Sequence, residues 1–354
     1  MSEGIVELEV ANLLHPVWIG DVKLESNLFL APLAGYTDKV YRAICLAKGA
    51  ALAYTEMVSS EGVARNNEKT VVLMERAEGE KNLAVQLFMP DAETTKRSLD
   101  NVMKYRPALI DINCGCPVPK VVKTGAGSAL LKRPEEIYKI VKTIKENVDV
   151  PVTVKIRTGW DCNSINYLEV AGLAFSAGAS AVCMHARTRS QLYMPTANWD
   201  WLKDLKAHFP DRVIIGSGDL FSAQDGVRML EYTGVDAISF ARGAIGNPFI
   251  FAQTKALIEG SGNYSKGEGE VSGSGSRRSL EIPVSEKVEA ILFHLRGLVD
   301  FLGQDLACRE MRKHVCAYLK GIPNSARVRQ LVTTAVTVED YKRALAELEE
   351  KTCR

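Results

Sequence analysis

Short apolar runs recur along the first two thirds of the chain, and each is followed by a stretch in which apolar residues have helical spacing. Most of the runs are continuous rather than alternating, as expected of parallel strands that are buried on both faces. Amphipathic stretches such as Pro134–Glu146 and Asn166–Ala177 lie between them. The eight predicted strands are Leu28–Ala31, Leu52–Thr55, Leu83–Leu87, Leu109–Ile112, Val152–Ile156, Ala181–His185, Val213–Ile215 and Ala237–Phe240.

Eight alternations of strand and helix favour a closed barrel over an open doubly wound sheet. The pattern ends near Glu259 of a chain of 354 residues, and (β/α)8 barrels typically take ~250 residues. No GxGxxG follows the first strand, which argues against a Rossmann dinucleotide site. The predicted fold class is α/β, a (β/α)8 TIM barrel with a C-terminal helical bundle domain.

The segment after the barrel pattern is GSGNYSKGEGEVSGSGS, residues 260–276, which is rich in glycine, serine and charge. Such a segment buries too little apolar area to order itself, so we predict a flexible linker over residues 260–283. The rest of the chain has a helical pattern, with Ser285 as the predicted N-cap and a turn at Pro323 and Asn324. The predicted domains are a barrel over 1–259 and a helical domain over 284–354.

Composition narrows the class of protein. The hydrophobic share of 46% and the charged share of 25% are ordinary for a globular protein, and no run of ~18 apolar residues is present. The first ten residues, MSEGIVELEV, lack the basic start and apolar stretch of a signal peptide, so we expect a cytoplasmic protein with no membrane partner. The eight cysteines include no CxxC pair and no zinc-finger spacing, so we expect thiols and no metal. The sequence leaves the oligomeric state open, and a monomer is the default expectation.

The formal net charge of +1 does not single out nucleic acid as a partner. Its distribution is more informative, because six basic residues oppose the single acid Glu310 on one predicted helical stretch. Such a stretch is either a phosphate-binding surface or a solvated helix face. The six are Arg309, Arg312, Lys313, Lys320, Arg327 and Arg329.

Polar residues collect at the carboxyl ends of the predicted strands, the face on which TIM-barrel active sites lie. Small residues around Gly218 and Gly243, with Arg242, can form a phosphate pocket, or the glycines can simply serve tight turns. The full set comprises Gln86, Asn113 to Pro117, Lys155, Arg157, His185, Arg187, Gly216 to Asp219 and Ala241 to Gly243.

Two of these residues carry candidate chemistry. Lys155 interrupts the apolar strand VTVKIRTGW, so it either lines a polar cavity or extends its ammonium to solvent from the strand end. Cys116 lies in a loop between Gly115 and Pro117, where it is either an accessible, rigidly mounted proton donor or an inert thiol.

Several ordered motifs resemble those of the tRNA-dihydrouridine synthases, and the run KVVKTGAGSALL is most similar to the bacterial B-type branch. The resemblance extends from about Leu24 to Phe251 and resumes in REMRKHVCAYLKGIP, residues 309–323. The motifs are APLAGYTDKVYRAI, TEMVSSEG, VQLF, INCGCPVPKVVKTGAGSALL, VKIRTGWD, HARTRSQLY, GSGDL and ARGAIGNP.

The resemblance implies an oxidoreductase that holds FMN in its barrel and reduces uridine in tRNA with NADPH. Hydride would pass from flavin N5 to C6 of uracil, and Cys116 would protonate C5. Asn113 and Arg187 would contact the uridine or tRNA, and Arg309, Arg312, Lys313 and Lys320 would bind tRNA. The implied flavin contacts are Ala31, Pro32, Leu33, Gln86, Lys155, His185, Ser217, Gly218, Asp219, Ala241 and Arg242.

The chain departs from the family pattern at four positions, none of which removes a charged or proton-donating group. Ser217 replaces a common Asn, whereas Ala186, Met89 and Ala241 stand where Gly is frequent. Two alternatives remain open: a flavin barrel that reduces a free small molecule, and a tRNA-binding factor with a vestigial flavin site. The residues specify neither the target uridine nor a preference for NADPH over NADH.

Overall fold

Eight parallel strands close into a barrel in the computed structural model, which describes residues 13–260 and 282–352. The ring closes because β4 pairs with both β3 and β6. In chain order the strands are β1 (Val17–Ile19), β2 (Val22–Leu24), β3 (Leu28–Leu30), β4 (Leu52–Tyr54), β5 (Val58–Ser59), β6 (Leu83–Phe88), β7 (Leu109–Cys114), β8 (Val152–Arg157), β9 (Ala181–His185), β10 (Val213–Ser217) and β11 (Ala237–Phe240).

Helices lie outside the barrel and form the C-terminal bundle. They are α1 (Lys39–Ala47), α2 (Ser60–Ala64), α3 (Glu68–Val71), α4 (Ala92–Met103), α5 (Pro119–Val122), α6 (Pro134–Asn147), α7 (Tyr167–Ser176), α8 (Asp200–His208), α9 (Ala223–Thr233), α10 (Ile250–Gly260), α11 (Val284–Leu302), α12 (Gln304–Tyr318), α13 (Ser325–Thr334) and α14 (Val338–Thr352). Three short 3-10 helices cover Val72–Met74, Gly127–Lys132 and Arg242–Ala244.

The predicted fold class is confirmed, and each predicted strand coincides with a barrel strand. β3, β4, β6, β7, β8, β9, β10 and β11 form the ring, whereas β5 extends the edge of β6. Continuous burial along β6 and β7 accounts for their unbroken apolar runs. None of the helices within the described ranges is long and apolar enough to cross a membrane.

The antiparallel hairpin β1–β2 covers one end of the barrel. Val17, Ile19 and Leu24 of the hairpin join a buried cluster with inward-facing side chains such as Phe29 and Tyr54. This apolar plug fills the end from which the strands start. The opposite end, where the strands finish, remains available for polar residues.

The helical domain packs on the barrel through close contacts at α1 and after β11. A Cβ on Gly297 of α11 would lie 2.6 Å from Val40, and one on Gly246 would lie 2.3 Å from the Ala317 carbonyl carbon. Gly246 also has a φ of +69°, so glycine alone fits this contact. The Tyr41 hydroxyl of α1 donates to the Ala244 carbonyl, which ties the same turn to α1.

Two buried histidines of the helical domain face one carboxylate of the barrel. The Asp38 carboxylate caps α1 by accepting from the backbone N–H groups of Val40 and Tyr41, both at 3.0 Å. Its second oxygen lies 3.2 Å from His294 Nε2 and 3.6 Å from His314 Nε2. Burial alone would raise the pKa of Asp38, but the two imidazoles lower it to about 2.

One detail of the predicted helical domain is wrong. The structure begins α11 at Val284, with Pro283 at the N-cap position and no side-chain cap, so Ser285 lies inside the first turn. The predicted turn is present, since Asn324 has a left-handed φ of 61° between α12 and α13. Of the predicted linker over 260–283, residues 261–281 lie outside the part of the chain that the structure describes.

Candidate active site

A cavity of about 360 Å³ opens at the carboxyl ends of the barrel strands, and its volume lies within the range of small-molecule sites. It brings together residues that follow six different strands. Most of the predicted site residues line it: Ala31, Pro32, Leu33, Asn113, Cys116, Lys155, His185, Ser217, Gly218, Asp219, Ala241 and Arg242.

Cys116 lies in the wall of this cavity and is 8% exposed. Its loop is held from both sides, because Asn113 Oδ1 accepts from the Cys116 N–H at 2.9 Å and the Ser128 N–H donates to the Cys116 carbonyl at 3.1 Å. Burial raises the pKa of the thiol, against a hydrogen bond from the Val118 backbone and the charge of Arg157. A thiol that stays protonated suits a proton donor better than a nucleophile.

Lys155 enters the cavity from the middle of β8, beside Asn113 of β7 in the sheet register. Within the described residues its ammonium has no hydrogen-bond or ion-pair partner, although it lies near the Asp111 carboxylate. A partly buried ammonium without a partner favours a polar or anionic ligand, since desolvation is costly. The cavity interpretation of Lys155 therefore agrees with its place in the barrel.

His185 ends β9 and is neutral. Burial lowers its pKa well below the ordinary range, and the surrounding cations Arg157, Lys155, Arg187 and Arg242 lower it further. Its Nε2 atom lies 3.3 Å from Arg187 Nη1. A guanidinium only donates, so Nε2 accepts and we assign the ring proton to Nδ1, which leaves that atom as a hydrogen-bond donor.

Asp219 organises the loop after β10. It accepts a bidentate pair from Arg187 at 2.8 and 2.6 Å, and further bonds come from Arg242 Nη2 at 3.0 Å and from the Ala197 N–H at 2.8 Å. Burial would raise the pKa of Asp219, but these hydrogen bonds and charges lower it. Next to it, Gly218 has a φ of +121°, and a Cβ there would lie 3.1 Å from the His185 ring. The loop is thus compact and carries its carboxylate ionised.

Two predicted site residues of the barrel do not line the cavity. Gln86 is fully buried, and its amide bonds Asp111 at 2.6 Å and Asn113 at 2.8 Å. Arg187 is 2% exposed, and its guanidinium donates hydrogen bonds to Asp219, to the His185 ring and to the Pro195 carbonyl. In this arrangement the Arg187 guanidinium is directed to protein groups.

The predicted basic residues of the helical domain are placed unevenly. Lys313 pairs with Glu310 and lies 5.7 Å from the centre of the Tyr36 ring, which lines the cavity. Arg309 and Lys320 are exposed, whereas Arg312 is half-buried and donates to the Ala335 carbonyl at 3.0 Å. Lys313 is therefore the basic residue among these four that lies beside the cavity rim.

Sequence reasoning missed the aromatic residues at the mouth. Tyr193 and Phe221 are each about half exposed, and the Arg242 guanidinium lies 4.4 and 4.8 Å from their ring centres. Tyr193 ends the motif HARTRSQLY and Phe221 follows GSGDL, so both stood at the edge of motifs already recognised. Exposed rings beside a guanidinium give this rim flat surfaces on which planar groups can stack.

Comparison with known proteins places this chain in a family. A family model described as "Dihydrouridine synthase (Dus)" matches residues 29–353. The chain belongs to the dihydrouridine synthase family. Members of this family are oxidoreductases that act on CH–CH groups.

Similar dihydrouridine synthases cover nearly the whole chain. The "Probable tRNA-dihydrouridine synthase" of Treponema pallidum is 38% identical over 341 residues, which is 93% of this chain and 95% of that protein. The "tRNA-dihydrouridine synthase B" of Pasteurella multocida is 36% identical and covers 94% of both chains. That of Vibrio cholerae is 35% identical and covers 92% of this chain and 97% of its own.

Solved structures share the barrel of this dihydrouridine synthase family member. Histamine dehydrogenase from Rhizobium sp. 4-9 superposes with a TM-score of 0.53 at 16% identity, over 71% of this chain and 48% of that chain. A 2-naphthoyl-CoA reductase complex gives 0.54 at 11% identity, over 70% of this chain and 52% of that chain. The chain spans about half the length of these larger proteins, and the likeness concerns the fold.

Proposed function

We propose that this dihydrouridine synthase family member reduces the C5–C6 double bond of specific uridines in tRNA, with FMN as its bound cofactor and NADPH as reductant. One observation carries the proposal: the Cys116 thiol, whose pKa burial raises, lines the same cavity as the Lys155 ammonium, which has no hydrogen-bond or ion-pair partner among the described residues. Proton donor and anion-stabilising cation are the two groups that reduction of an enone-like ring requires of the protein.

The hydrogen-bond donors that line the cavity suit the phosphate and the polar ring edges of FMN. The Arg242 side chain and the compact glycine loop of Ser217, Gly218 and Asp219 suit a phosphate, as in the phosphate sites that follow the last strands of other TIM barrels. Lys155 and the Nδ1–H of His185 can donate to polar edges of the ring system. Bound FMN, once reduced, would supply the hydride for C6 of the uracil.

Cys116 would give its proton to C5 of the uracil ring. The Asn113 Nδ2 group has one replaceable contact, a weak one to the Met57 sulfur at 3.1 Å, and can donate to a uracil oxygen there. Lys155 would stabilise the negative charge that develops as the ring is reduced. NADPH rather than NADH remains a prediction, and so does the monomeric state.

The target base must leave its stack to enter the cavity, which costs a few kcal/mol. Exposed cations on the helical domain, such as Arg309 and Lys320, would offset this cost by binding phosphates, and Lys313 would do so at the rim. Buried Arg187 takes a different role from the one first expected. It would position Asp219 and the glycine loop rather than contact the uridine.

Mass spectrometry of tRNA nucleosides tests the proposed function. A strain lacking the gene should lose dihydrouridine at one or more positions, and the intact gene should restore it, whereas the Cys116→Ala gene should restore far less. Purified protein should also reduce uridine in tRNA and not free uridine. Unchanged dihydrouridine in the deletion strain, with no other synthase acting at the same position, would overturn the tRNA substrate.

A further inference from the structure

A chain of hydrogen bonds runs under the cavity from a buried carboxylate to the loop of Cys116. Gln86 Nε2 donates to Asp111 Oδ2 at 2.6 Å, and Asn113 Nδ2 donates to Gln86 Oε1 at 2.8 Å. Asn113 Oδ1 in turn accepts from the backbone N–H of Cys116 at 2.9 Å and of Gly115 at 3.2 Å. Asp111, Gln86 and Asn113 are at most 5% exposed, so water does not substitute for these bonds.

The direction of every bond in this chain follows from its first member. A carboxylate accepts and does not donate, so Gln86 must turn its NH₂ group towards Asp111 and its oxygen towards Asn113. That oxygen obliges Asn113 to turn its own NH₂ group inward. The Asn113 oxygen then faces outward, where it is the acceptor for the two loop N–H groups.

The loop has other supports, but they hold its carbonyl groups and, through the Val118 backbone, the Cys116 sulfur. Arg157 Nε donates to the Gly115 carbonyl at 3.0 Å, and the Ser128 N–H donates to the Cys116 carbonyl. The N–H groups of Gly115 and Cys116 depend on Asn113 alone within the described part of the chain. The amide orientation of Asn113 therefore decides whether the loop is held on its N–H side.

Asp111 itself is anchored from behind. Thr153 Oγ1 donates to Asp111 Oδ1 at 2.5 Å, on the side away from Gln86. Burial of an acid in a barrel interior is costly for stability, and an apolar residue of similar size would avoid that cost. The carboxylate is thus better explained by the orientation that it imposes on its neighbours.

We propose that Asp111 is a positioning residue that acts through Gln86 and Asn113 to hold the Cys116 thiol in the cavity wall. The proposal rests on the proposed function for the role of Cys116 as proton donor. This chain of hydrogen bonds is present in the protein without any ligand, so its effect on Cys116 can be tested without catalysis.

The test is the rate at which iodoacetamide alkylates Cys116 in the full-length, ligand-free protein, read by peptide mass spectrometry. Exposed Cys162 serves as the reference thiol in the same molecule. Asp111→Leu removes the first acceptor, and Gln86→Met cuts the chain in its middle while it leaves the Asp111–Thr153 bond. Both should raise the Cys116 rate about tenfold or more, with no change at Cys162, because the Asn113 amide is then free to turn its oxygen away from the two loop N–H groups.

Two matched variants separate positioning from loss of stability. Thr153→Val removes a buried hydrogen bond from the same carboxylate but leaves the chain to Cys116 complete. Asp111→Asn keeps an acceptor oxygen for Gln86, because the Thr153 hydroxyl can turn and accept from the new NH₂ group. Both should react at Cys116 like the wild type, even where thermal unfolding shows that they are less stable.

The proposal is overturned if Asp111→Leu and Gln86→Met leave the Cys116 rate unchanged, or if Thr153→Val raises it as much as they do. Should Asp111→Leu fail to fold, Gln86→Met decides the matter against Thr153→Val. Failure of the proposed function has a different signature: the wild-type enzyme would leave uridine in tRNA unreduced, or Cys116→Ala would reduce it at the wild-type rate, whatever the alkylation rates are.

Discussion

Arg187 and Asp219 form a bidentate ion pair beside the cavity, which Asp219 lines, with N–O distances of 2.8 and 2.6 Å. Asp219 holds a left-handed backbone conformation with a φ of 55°, and it also binds Arg242 from the next strand. The pair therefore fixes the shape of the loop after β10 and the direction of the Arg242 side chain together. A guanidinium is suited to this task because its two parallel N–H bonds set an angle as well as a distance.

Replacing Arg187 with lysine should weaken FMN binding about tenfold or more, since an ammonium does not reproduce the bidentate geometry. Flavin fluorescence during titration of the apoprotein measures the dissociation constant. Arg189→Lys is the matched control, because Arg189 stacks on Trp160 and makes no contact with Asp219 among the described residues. Equal FMN affinity in Arg187→Lys and wild type would contradict the role given to this pair.

Replacing Cys116 with alanine should lower the rate of dihydrouridine formation by about 10²- to 10⁴-fold, the usual contribution of a general acid. Reduction of the bound flavin by NADPH should be unaffected, because that step needs no proton from Cys116. Stopped-flow absorbance separates the two half-reactions. Cys162→Ala, at an exposed thiol, is expected to behave like the wild type in both.

The pH dependence of uridine reduction should follow the raised pKa of the Cys116 thiol. The acid acts in its protonated form, so a raised pKa extends activity upward in pH, and the rate falls only as the pH passes the raised value. Single-turnover rates of reduced enzyme with tRNA should therefore stay level beyond about pH 8.5, where a free thiol is half ionised. A decline centred below that pH would argue against Cys116 as the acid.

Acidification should destabilise the contact between the two domains. Burial, followed by the neighbouring His294, lowers the pKa of His314 to about 3, so between the ordinary value and this one the unfolded chain binds a proton that the folded chain does not. Stability should therefore fall by about 1.4 kcal/mol per pH unit below about pH 6.5 from this residue. Asp38, whose folded pKa is about 2, adds a loss of the same sign only at lower pH, between its ordinary value and 2.

Urea unfolding at a series of pH values measures this dependence. His314→Gln should reduce the slope of the free energy of unfolding against pH, between pH 7 and pH 5, by about the value for one bound proton. Buried His185, whose pKa is also lowered, still contributes to the slope in both proteins. An unaltered slope in His314→Gln would show that protonation of His314 does not control the stability of the interface.

Neutralising Lys313 should weaken tRNA binding and lower the slope of log affinity against log salt by about one. The reason is its position beside Tyr36 at the cavity rim, where a phosphate of an inserted loop would lie. Filter binding of Lys313→Ala at several salt concentrations provides the measurement. Lys142→Ala on the outer face of α6 should leave the slope as it is, and an equal effect of both changes would contradict the placement of tRNA at this rim.

The strands were predictable from the sequence because a parallel strand that is buried on both faces is a short, continuous run of apolar residues. The lining of the cavity followed for the same reason, since residues at the ends of parallel strands meet on one face. The side-chain directions of Gln86 and Arg187 did not follow. A polar residue at a strand end can turn towards a ligand or towards another protein group, and only the partners, Asp111 and Asp219, decide between these directions.

Other misses have equally local causes. Ser285 is a good capping residue by type, but Pro283 already sets the backbone angle from which α11 starts, so the helix begins two residues earlier than predicted. The aromatic rim of Tyr193 and Phe221 escaped notice because an isolated aromatic residue in a loop has no period. The two rings are brought together by the Arg242 side chain, which lies near both ring centres and belongs to the 3-10 helix after β11.

The contact of Gly246 with the backbone of Ala317 has a consequence for how this protein can be divided. The turn that carries Arg242 is followed at once by this contact, and Tyr41 clamps the same turn at Ala244. The helical domain is therefore not a detachable module that merely delivers tRNA to a finished catalytic barrel. The helical domain packs against one wall of the active site and helps to determine its shape. A chimera that exchanges this domain must therefore preserve the contact at Gly246. Only then can a change in the uridine that is reduced be attributed to the exchanged domain.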